Sequence, residues 1–268
     1  MLGRRPRSAK GRPIRTDTLV AKRRHDSHDV TESTLVVNDL SVKYGNVSAL
    51  SDFSVVVQPG QVCGLIGPNG AGKTTAIDAM TGFIQPSAGT VTLGGRDLSR
   101  LSPQARAKSG LVRTFQRLEL FDDLTVRENV EVAVNAATRS GASKMNASEA
   151  LRMAGIHDVG EHYPPVLPHG QRRLVAFARA IAGSPQILLL DEPASGLDTE
   201  ETEHLAEHMR ALVDRREIGV LLIDHDMALV LSVCDWLEVI DFGLGIASGT
   251  PEAVSRDRAV ISAYIGED

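Results

Sequence analysis

A stretch of eight residues that begins at Gly67 has the composition and spacing of a phosphate-binding loop. Its three glycines allow the backbone to curl, so that successive amides and the N-terminus of a following helix point toward one anion. The lysine ammonium adds positive charge for the outer phosphates, and the hydroxyl of Thr74 is suited to hold Mg²⁺. The segment therefore predicts a nucleoside triphosphate and Mg²⁺ as ligands. The candidate contacts are Gly67, Pro68, Asn69, Gly70, Ala71, Gly72, Lys73, Thr74 and Thr75.

Two carboxylates follow an apolar run at residues 187–190. Because ligands collect at the carboxyl ends of strands in open α/β sheets, Asp191 is a candidate for the Mg²⁺ shell. Glu192 is then placed to orient or deprotonate an attacking water. His225 follows a further apolar run and is a candidate sensor of the γ-phosphate. The alternatives are that the two acids cap the next turn and that the histidine is structural.

The segments around these residues predict an α/β fold, a P-loop NTPase core with a mainly parallel sheet. Apolar runs at residues 187–190 and 220–223 are typical of strands buried on both faces, and helical patterns at 171–182 and 199–214 alternate with them. Residues 33–57 contain short apolar runs separated by turn residues, which predicts an N-terminal antiparallel strand group.

The pattern changes to helical segments between about residues 102 and 170. We expect an inserted helical subdomain there, within one nucleotide-binding domain that spans residues 34–268. The expected pieces are helices at 103–108, 126–134 and 148–153, a strand-like insertion at 111–115 and a polar break at 138–146.

The charge of the chain is unevenly distributed. The formal net charge is -5. Residues 1–33 hold nine Lys or Arg against four Asp or Glu, a net of +5, so the rest carries -10. This segment has almost no apolar periodicity and is predicted to be a disordered, basic extension. The alternative is an electrostatic contact with anionic lipid or nucleic acid.

Hydropathy and cysteine content limit the cellular setting. No uninterrupted apolar segment approaches the 18 or so residues that a bilayer crossing needs, so any membrane role would pass through a partner. Cys63 and Cys234 lie in apolar surroundings without metal-ligand spacing. They are interpreted as core residues of a protein in a reducing compartment.

From residue 34 onward, the chain resembles the ATP-binding subunit of ABC transporters, because six short motifs occur in that family's order. Tyr44 stands where the family has its adenine-stacking aromatic residue, and Gln116 stands where it has its Q-loop glutamine. Asp198 ends a segment similar to its D-loop. Gly170 and Gln171 belong to a segment similar to its signature motif, which in the family caps ATP bound to the opposite subunit.

This resemblance implies the activity and the partners. It implies hydrolysis of Mg·ATP between two subunits that close head to tail, as a homodimer or a heterodimer. Glu192, His225 and Gln116 are then the expected catalytic residues, and Thr74, Gln116 and Asp191 the expected metal contacts. The expected partners are integral-membrane permease subunits and, indirectly, a substrate-binding protein, with no nucleic acid. The expected location is peripheral, on the cytoplasmic face of the cell membrane.

The signature segment departs from the family's usual Leu-Ser-Gly-Gly-Gln. Pro168 replaces the serine that would bond the γ-phosphate, and His169 replaces a glycine. Proline is tolerated in the first turn of a helix, so the fold survives. The lost hydroxyl is worth about 1.5 to 3 kcal/mol as a charge-assisted hydrogen bond. The departure predicts one weakened site, acceptable if the partner subunit carries an intact signature.

Further segments are similar to the branched-chain amino acid importers. They are residues 111–116, 120–121, 124–130, 223–227 and 249–267. The alternatives are relatives that import urea or short amides, and, more distantly, exporters of lipid-linked sugars. Two alternatives of other classes are a nucleotide-gated subunit that barely hydrolyses ATP and a soluble ABC-type ATPase of nucleic-acid metabolism. A small-molecule kinase is disfavoured by Gln116, Gln171 and His225.

Overall fold

The computed structural model describes residues 33–115, 118–139 and 145–265. Of the predicted basic tail, only Ser33 falls within these ranges. Gln116, expected at the catalytic and metal site, lies outside the described residues, as do the last three residues of the chain.

The strands of the described residues form two sheets. In chain order the strands are β1 (Leu35–Tyr44), β2 (Val47–Val57), β3 (Val62–Ile66), β4 (Ala88–Leu93), β5 (Arg96–Asp97), β6 (Leu111–Arg113), β7 (Ile187–Asp191), β8 (Gly219–Ile223), β9 (Trp236–Asp241) and β10 (Leu244–Gly249). One sheet has the order β2-β1-β4-β5, and the other has the order β10-β9-β3-β8-β7-β6.

Helices connect and cover these strands. They are α1 (Lys73–Thr81), α2 (Pro103–Lys108), α3 (Val126–Arg139), α4 (Ala147–Met153), α5 (His169–Ala182), α6 (Thr199–Arg216), α7 (Met227–Val233), α8 (Pro251–Ser255) and α9 (Arg258–Ile265). The helix predicted at 126–134 therefore runs further, to Arg139, and the one predicted from 171 begins at His169.

The larger sheet is mainly parallel, as predicted. Pairs β3/β8, β3/β9, β7/β8 and β6/β7 are parallel, and β10 joins the edge of β9 in antiparallel orientation. Every residue of β3, β7 and β8 is buried. This burial explains why their sequences are apolar throughout rather than alternating. The carboxyl ends of β3, β7 and β8 consequently meet at one edge, where the functional loops begin.

Two apolar cores hold the layers together. One lies between the two sheets and includes the buried face of α1. The other lies on the opposite face of the large sheet, where residues of α3 to α9 pack. The antiparallel pairing of β1 with β2 and with β4 confirms the predicted N-terminal strand group.

Residues 103–113 pack with the nucleotide core rather than with the helical stretch that follows. Strand β6 pairs with β7 at the edge of the large sheet. Helix α2 is tied to the end of α1 by Arg106, only 1% exposed, whose guanidinium donates to the carbonyl oxygens of Ala79 and Met80 at 2.9 and 2.7 Å. These contacts use the unpaired carbonyls of the last turn of α1. The helices that pack on α5 and on each other are α3 and α4.

Among the described residues, no helix combines the length and the hydropathy that a bilayer crossing requires.

Candidate functional site

The loop between β3 and α1 has backbone conformations that require its glycines. Gly70 and Gly72 have φ angles of 79° and 107°, in the left-handed region that favours glycine. A Cβ on Gly67 would lie 2.0 Å from the carbonyl oxygen of Ile240, whereas a Cβ on Gly70 would meet nothing within 4 Å. The loop is therefore packed tightly against β9 on one side and open on the side of Gly70.

The turn between β9 and β10 supports this loop from behind. The amide of Gly243 donates to the carbonyl oxygen of Ala71 at 2.8 Å, and the amide of Ser51 donates to the carbonyl oxygen of Gly243 at 2.8 Å. A Cβ on Gly72 would lie 2.7 Å from the carbonyl oxygen of Ala49. Two other parts of the chain, residues 49–51 and 240–243, thus fix the curvature of the loop.

The first turn of α1 presents positive charge to the open side. Within the described residues, no side chain caps this helix at Gly72, and its first turn contains no acidic residue. The amides there and the helix dipole favour an anion. The ammonium of Lys73 donates to the carbonyl oxygens of Gly67 and Pro68 at 2.6 and 2.8 Å, which holds its charge at the loop. Thr74, which follows, is exposed.

Asp191 and Glu192 lie at the carboxyl end of β7, as predicted. Asp191 is buried, and its backbone amide donates to the hydroxyl oxygen of Thr114 at 3.3 Å. Glu192 has a φ angle of 49°, in the left-handed region, and a residue other than glycine pays about 1 to 3 kcal/mol of backbone strain there. Its amide donates to the carbonyl oxygen of Ile223 at 2.7 Å, so the neighbouring strand end holds the turn.

Arg173 on α5 provides a second restraint on this turn. Its guanidinium donates to the carbonyl oxygen of Glu192 at 3.1 Å. Burial lowers the pKa of Arg173, while the carboxylates of Asp224 and Glu192 act in the opposite direction. A guanidinium stays charged despite such a shift, so helix α5 contributes a fixed cation beside the acids.

His225 follows β8 and is exposed, with its Nδ1 atom 3.7 Å from a carboxylate oxygen of Asp224. Asp224 itself is 2% exposed and accepts from the amides of Ala194 and Asp226, both at 3.0 Å. A buried carboxylate with backbone donors is a fixed negative group. It joins the turn after Glu192 to the turn that carries His225.

Arg113, at the end of β6, contacts the predicted metal ligand directly. Its guanidinium lies 2.7 Å from a carboxylate oxygen of Asp191 and 2.5 Å from one of Asp78 on α1. The ring of Phe115 lies 5.1 Å from the guanidinium carbon and that of Phe83 6.0 Å. This side chain therefore joins β6, β7 and α1 at the site.

The predicted signature segment lies where α5 begins. Pro168 is the residue before the helix and makes no side-chain cap, a statement that covers the described residues only. A Cβ on Gly170 would lie 2.0 Å from a carboxylate oxygen of Glu201, and one on Gly196 would lie 3.2 Å from the ring of His169. The start of α5 thus packs on the predicted D-loop and on the start of α6.

Asp198 caps α6 in a reciprocal arrangement with Glu201. Its carboxylate accepts from the amide of Glu201 at 2.8 Å, and the carboxylate of Glu201 accepts from the amide of Asp198 at 3.1 Å. This is a capping box, which satisfies two otherwise unpaired amides. The capping explains the geometry of Asp198 without a ligand, so its nucleotide role stays a prediction.

The structure brings together only part of the predicted set. The phosphate loop, Asp191, Glu192 and His225 follow the ends of the adjacent strands β3, β7 and β8. Tyr44 ends β1 with 52% exposure, and Gly170 and Gln171 lie in the first turn of α5. The nucleotide roles of these residues stay predictions.

Three residues that the sequence analysis did not assign are Arg113, Arg173 and Asp224. Each contacts an expected site residue or its turn. The only local signal in the sequence was a charged residue at the end of an apolar run, for Arg113 and Asp224.

The donors fit Mg·ATP. In proteins Mg²⁺ takes one or two carboxylates with substrate phosphates, and hard oxygen donors are present in Thr74 and Asp191. The described residues contain no cluster of three His, Cys, Asp or Glu that would form a metal cage by itself. The open, uncapped start of α1 with Lys73 fits the phosphates.

Comparison with known families and relatives agrees with this geometry. The family described as ABC transporter matches residues 50–195, and that described as branched-chain amino acid ATP-binding cassette transporter matches residues 246–268. LivG of Salmonella typhimurium, a high-affinity branched-chain amino acid transport ATP-binding protein, is 37% identical over 89% of this chain and 100% of its own. BraF of Pseudomonas aeruginosa, with the same description, is 37% identical over 87% and 98%.

A relative with another described solute has similar identity. CysA of Mycobacterium bovis, a sulfate/thiosulfate import ATP-binding protein, is 36% identical over 87% of this chain and 66% of its own. The crystal structure of an ATP-binding cassette of an ABC transporter in its ADP conformation is 29% identical, with a TM-score of 0.76 over 88% of this chain and 100% of that one. A nucleotide-free cassette gives a TM-score of 0.77 at 28% identity, over 88% and 100%.

These similarities cover the phosphate loop, the strand-end acids and the segment at the start of α5. The predicted P-loop NTPase fold and the predicted resemblance are therefore both confirmed, and the chain belongs to the ABC transporter family as an ATP-binding cassette.

Proposed function

We propose that this chain binds and hydrolyses Mg·ATP to power a membrane importer of branched-chain amino acids. The observation that carries the proposal is the common edge at which the phosphate loop, Asp191, Glu192 and His225 follow β3, β7 and β8. Such an edge supplies the positioning and charge stabilisation that phosphoryl transfer requires.

Nucleotide binding rests on the loop and on α1. The amides of the curled loop, the uncapped start of α1 and the ammonium of Lys73 form one anion site for the phosphates. The exposed ring of Tyr44 offers an apolar face for the adenine. Thr74 and Asp191 would hold Mg²⁺, which neutralises charge on the phosphate oxygens when bound.

Hydrolysis rests on Glu192 as the general base. Its backbone is held by the carbonyl of Ile223 and by Arg173, so its side chain starts from a fixed turn. A positioned base of this kind contributes about 100- to 10,000-fold in rate. His225, exposed beside the buried Asp224, is free of the core and able to turn toward a phosphate oxygen. Gln116 is proposed to link the metal to the helices that follow.

The solute follows from the C-terminal segment more than from overall identity. The branched-chain amino acid transporters and a sulfate/thiosulfate importer differ by only one percentage point in identity to this chain. The match at residues 246–268 to the branched-chain amino acid family supports the first class. Importers of urea or short amides are the alternative within the same fold.

The proposed assembly includes permease subunits and a second ATP-binding subunit. The chain would sit on the cytoplasmic face of the membrane, next to a permease, and a substrate-binding protein would contribute indirectly. Two nucleotides would be enclosed between the phosphate loop of one subunit and Gly170 and Gln171 of the other. ATP would then drive closure because it binds the closed pair of subunits more tightly than the open pair.

A subunit that binds ATP and hydrolyses it weakly is the second candidate. It is favoured by Pro168, which precedes α5 and provides no hydroxyl for a phosphate. The two candidates differ in the hydrolysis rate of the assembled complex and agree on ATP binding.

The test uses the full chain assembled with its permease and second ATP-binding subunit in liposomes. Glu192→Gln is expected to retain ATP binding while the ATPase rate falls about 100- to 10,000-fold. Glu200→Gln, in the exposed first turn of α6, is the matched control and is expected to behave as wild type. Uptake of leucine, sulfate and urea by the wild-type complex identifies the solute. A Glu192→Gln complex with the wild-type rate would refute the proposed mechanism.

A further inference from the structure

Arg113 is buried between two carboxylates and two aromatic rings. Its side chain is 8% exposed and that of its partner Asp191 is 9% exposed. One terminal nitrogen contacts Asp191 and the other contacts Asp78, so the guanidinium spans from β7 to α1. Phe83 and Phe115 pack edge to face beside it, with ring centroids 5.6 Å apart. Few rotamers of Arg113 are compatible with this enclosure.

We propose that Arg113 is a positioning residue for the metal site, which holds the carboxylate of Asp191 in the orientation that binds Mg²⁺. This inference rests on the proposed function, because Asp191 is taken as the metal ligand. Carboxylates that bind a metal are themselves held by hydrogen bonds, and loss of such a partner costs about 10- to 100-fold in metal affinity or activity.

The geometry favours positioning over a mere ion pair at the surface. Exposed ion pairs are screened and flexible, whereas this guanidinium makes two separate contacts in a buried place. Asp78 lies on α1, one turn after Thr74, which is another expected metal contact. Arg113 therefore fixes the placement of β7 relative to α1, which carry Asp191 and Thr74.

The same side chain reaches the segment that leads to the predicted Q-loop. Phe115 is the residue before Gln116, and its ring lies against the guanidinium at 5.1 Å. A cation this close to an aromatic face is attracted to it. The amide of Thr114 donates to the carbonyl oxygen of Leu189 at 2.9 Å, which ties this segment to β7 as well. A change in the backbone path of residues 114–115 would consequently alter the position of the Asp191 carboxylate.

The test measures Mn²⁺ binding by electron paramagnetic resonance on the full chain with saturating ATP. Arg113→Met keeps an unbranched apolar stem and removes the guanidinium with its contacts to both carboxylates. Its Mn²⁺ dissociation constant is expected to rise about 10- to 100-fold. ATP affinity measured in EDTA is expected to stay within about twofold of wild type, because the phosphate loop is untouched. A purely structural role would not produce this split.

The matched control is Arg127→Met on α3. Arg127 also makes two side-chain contacts, to Glu161 at 2.7 Å and to Ser148 at 2.8 Å, away from the strand-end acids. Its Mn²⁺ affinity is expected to equal that of wild type. Asp78→Asn, which weakens only the outer anchor of Arg113, gives a second route if Arg113→Met does not fold. It is expected to raise the Mn²⁺ dissociation constant by a smaller factor.

The positioning role is overturned if Arg113→Met binds Mn²⁺ as tightly as wild type or more tightly. If Arg113→Met does not fold, the same result in Asp78→Asn overturns it. Tighter binding would mean that the guanidinium competes with the metal for Asp191. The proposed function fails by a different result, namely a wild-type chain that binds neither ATP nor Mn²⁺ with ATP.

Discussion

The strand-end edge and the start of α5 are built differently. At the edge, Asp191 and Asp224 are buried. The carboxylate of Asp191 pairs with the guanidinium of Arg113, and that of Asp224 accepts from two backbone amides. At the start of α5, Pro168 and His169 are exposed, and the helix has no side-chain cap among the described residues. The first region is organised by the chain itself. The second presents its residues to the outside, in keeping with the proposed role toward a partner subunit.

A glycine in each region tests this difference, and the largest effect is expected at the edge. Gly67→Ala would place a Cβ 2.0 Å from a backbone oxygen of β9, at a φ of 154°. Overpacking and backbone strain together predict a loss of about 2 to 6 kcal/mol in the free energy of unfolding and loss of ATP binding. Chemical denaturation and nucleotide titration measure both.

Gly170→Ala is the counterpart in the second region. Its Cβ would meet the carboxylate of Glu201, a side chain that can rotate away at the expense of the capping box with Asp198. The expected loss is about 0.5 to 2 kcal/mol. Equal destabilisation by the two variants would contradict the contrast between a backbone-locked edge and an adaptable helix start.

Pro168→Ser restores a hydroxyl at the start of α5, and its effect is expected in the ATPase rate rather than in stability. If the hydroxyl gains a charge-assisted hydrogen bond to a phosphate of the partner's nucleotide, the ATPase rate of the assembled complex rises about 10-fold or more. Pro168→Ala is the control, because it relieves the proline without adding the donor. Identical rates for the serine and alanine variants would rule out the hydroxyl as the missing group.

The smallest effect concerns the thiol of Cys234, behind β3. Burial, assisted by Asp235, raises the pKa of Cys234 to about 12 from an ordinary value near 9. In the unfolded chain the thiol ionises at lower pH than in the folded chain. Its contribution to the free energy of unfolding is therefore complete below pH 9 and is lost as the pH rises from 9 toward 12. At pH 10 the loss attributable to this thiol is about 1 kcal/mol. Denaturation of Cys234→Ala at pH 7.5 and 10 should show a correspondingly smaller difference in the free energy of unfolding than wild type, and an equal difference in the two proteins would contradict the shift.

The phosphate loop and the pair Asp191 and Glu192 could be predicted from the sequence because their signals are local. Each is a short motif directly after an apolar run, and a parallel sheet brings the ends of such runs to one edge. The family resemblance then extended the prediction to an ABC-type ATP-binding subunit, which the matches confirm.

Arg113 could not be assigned because its partners are distant in the sequence. Asp78 is 35 residues away and Asp191 is 78 residues away, so their proximity depends on β6 taking the edge position beside β7. From the sequence, residues 111–115 are predicted as a strand-like insertion within the helical stretch, where such a contact has no reason to form. The same long-range pairing explains why α2 packs with α1 rather than with α3.

The hydrogen bond from Gly243 to Ala71 has a consequence for genetic truncation. An open reading frame interrupted shortly after His225 would still encode every recognised nucleotide motif. Its product would lack the hairpin of β9 and β10. The loop between β3 and α1 would then lose the packing of Ile240 against Gly67 and the hydrogen bond from Gly243 to Ala71. Such a shortened protein would be inert toward nucleotide despite an intact motif inventory.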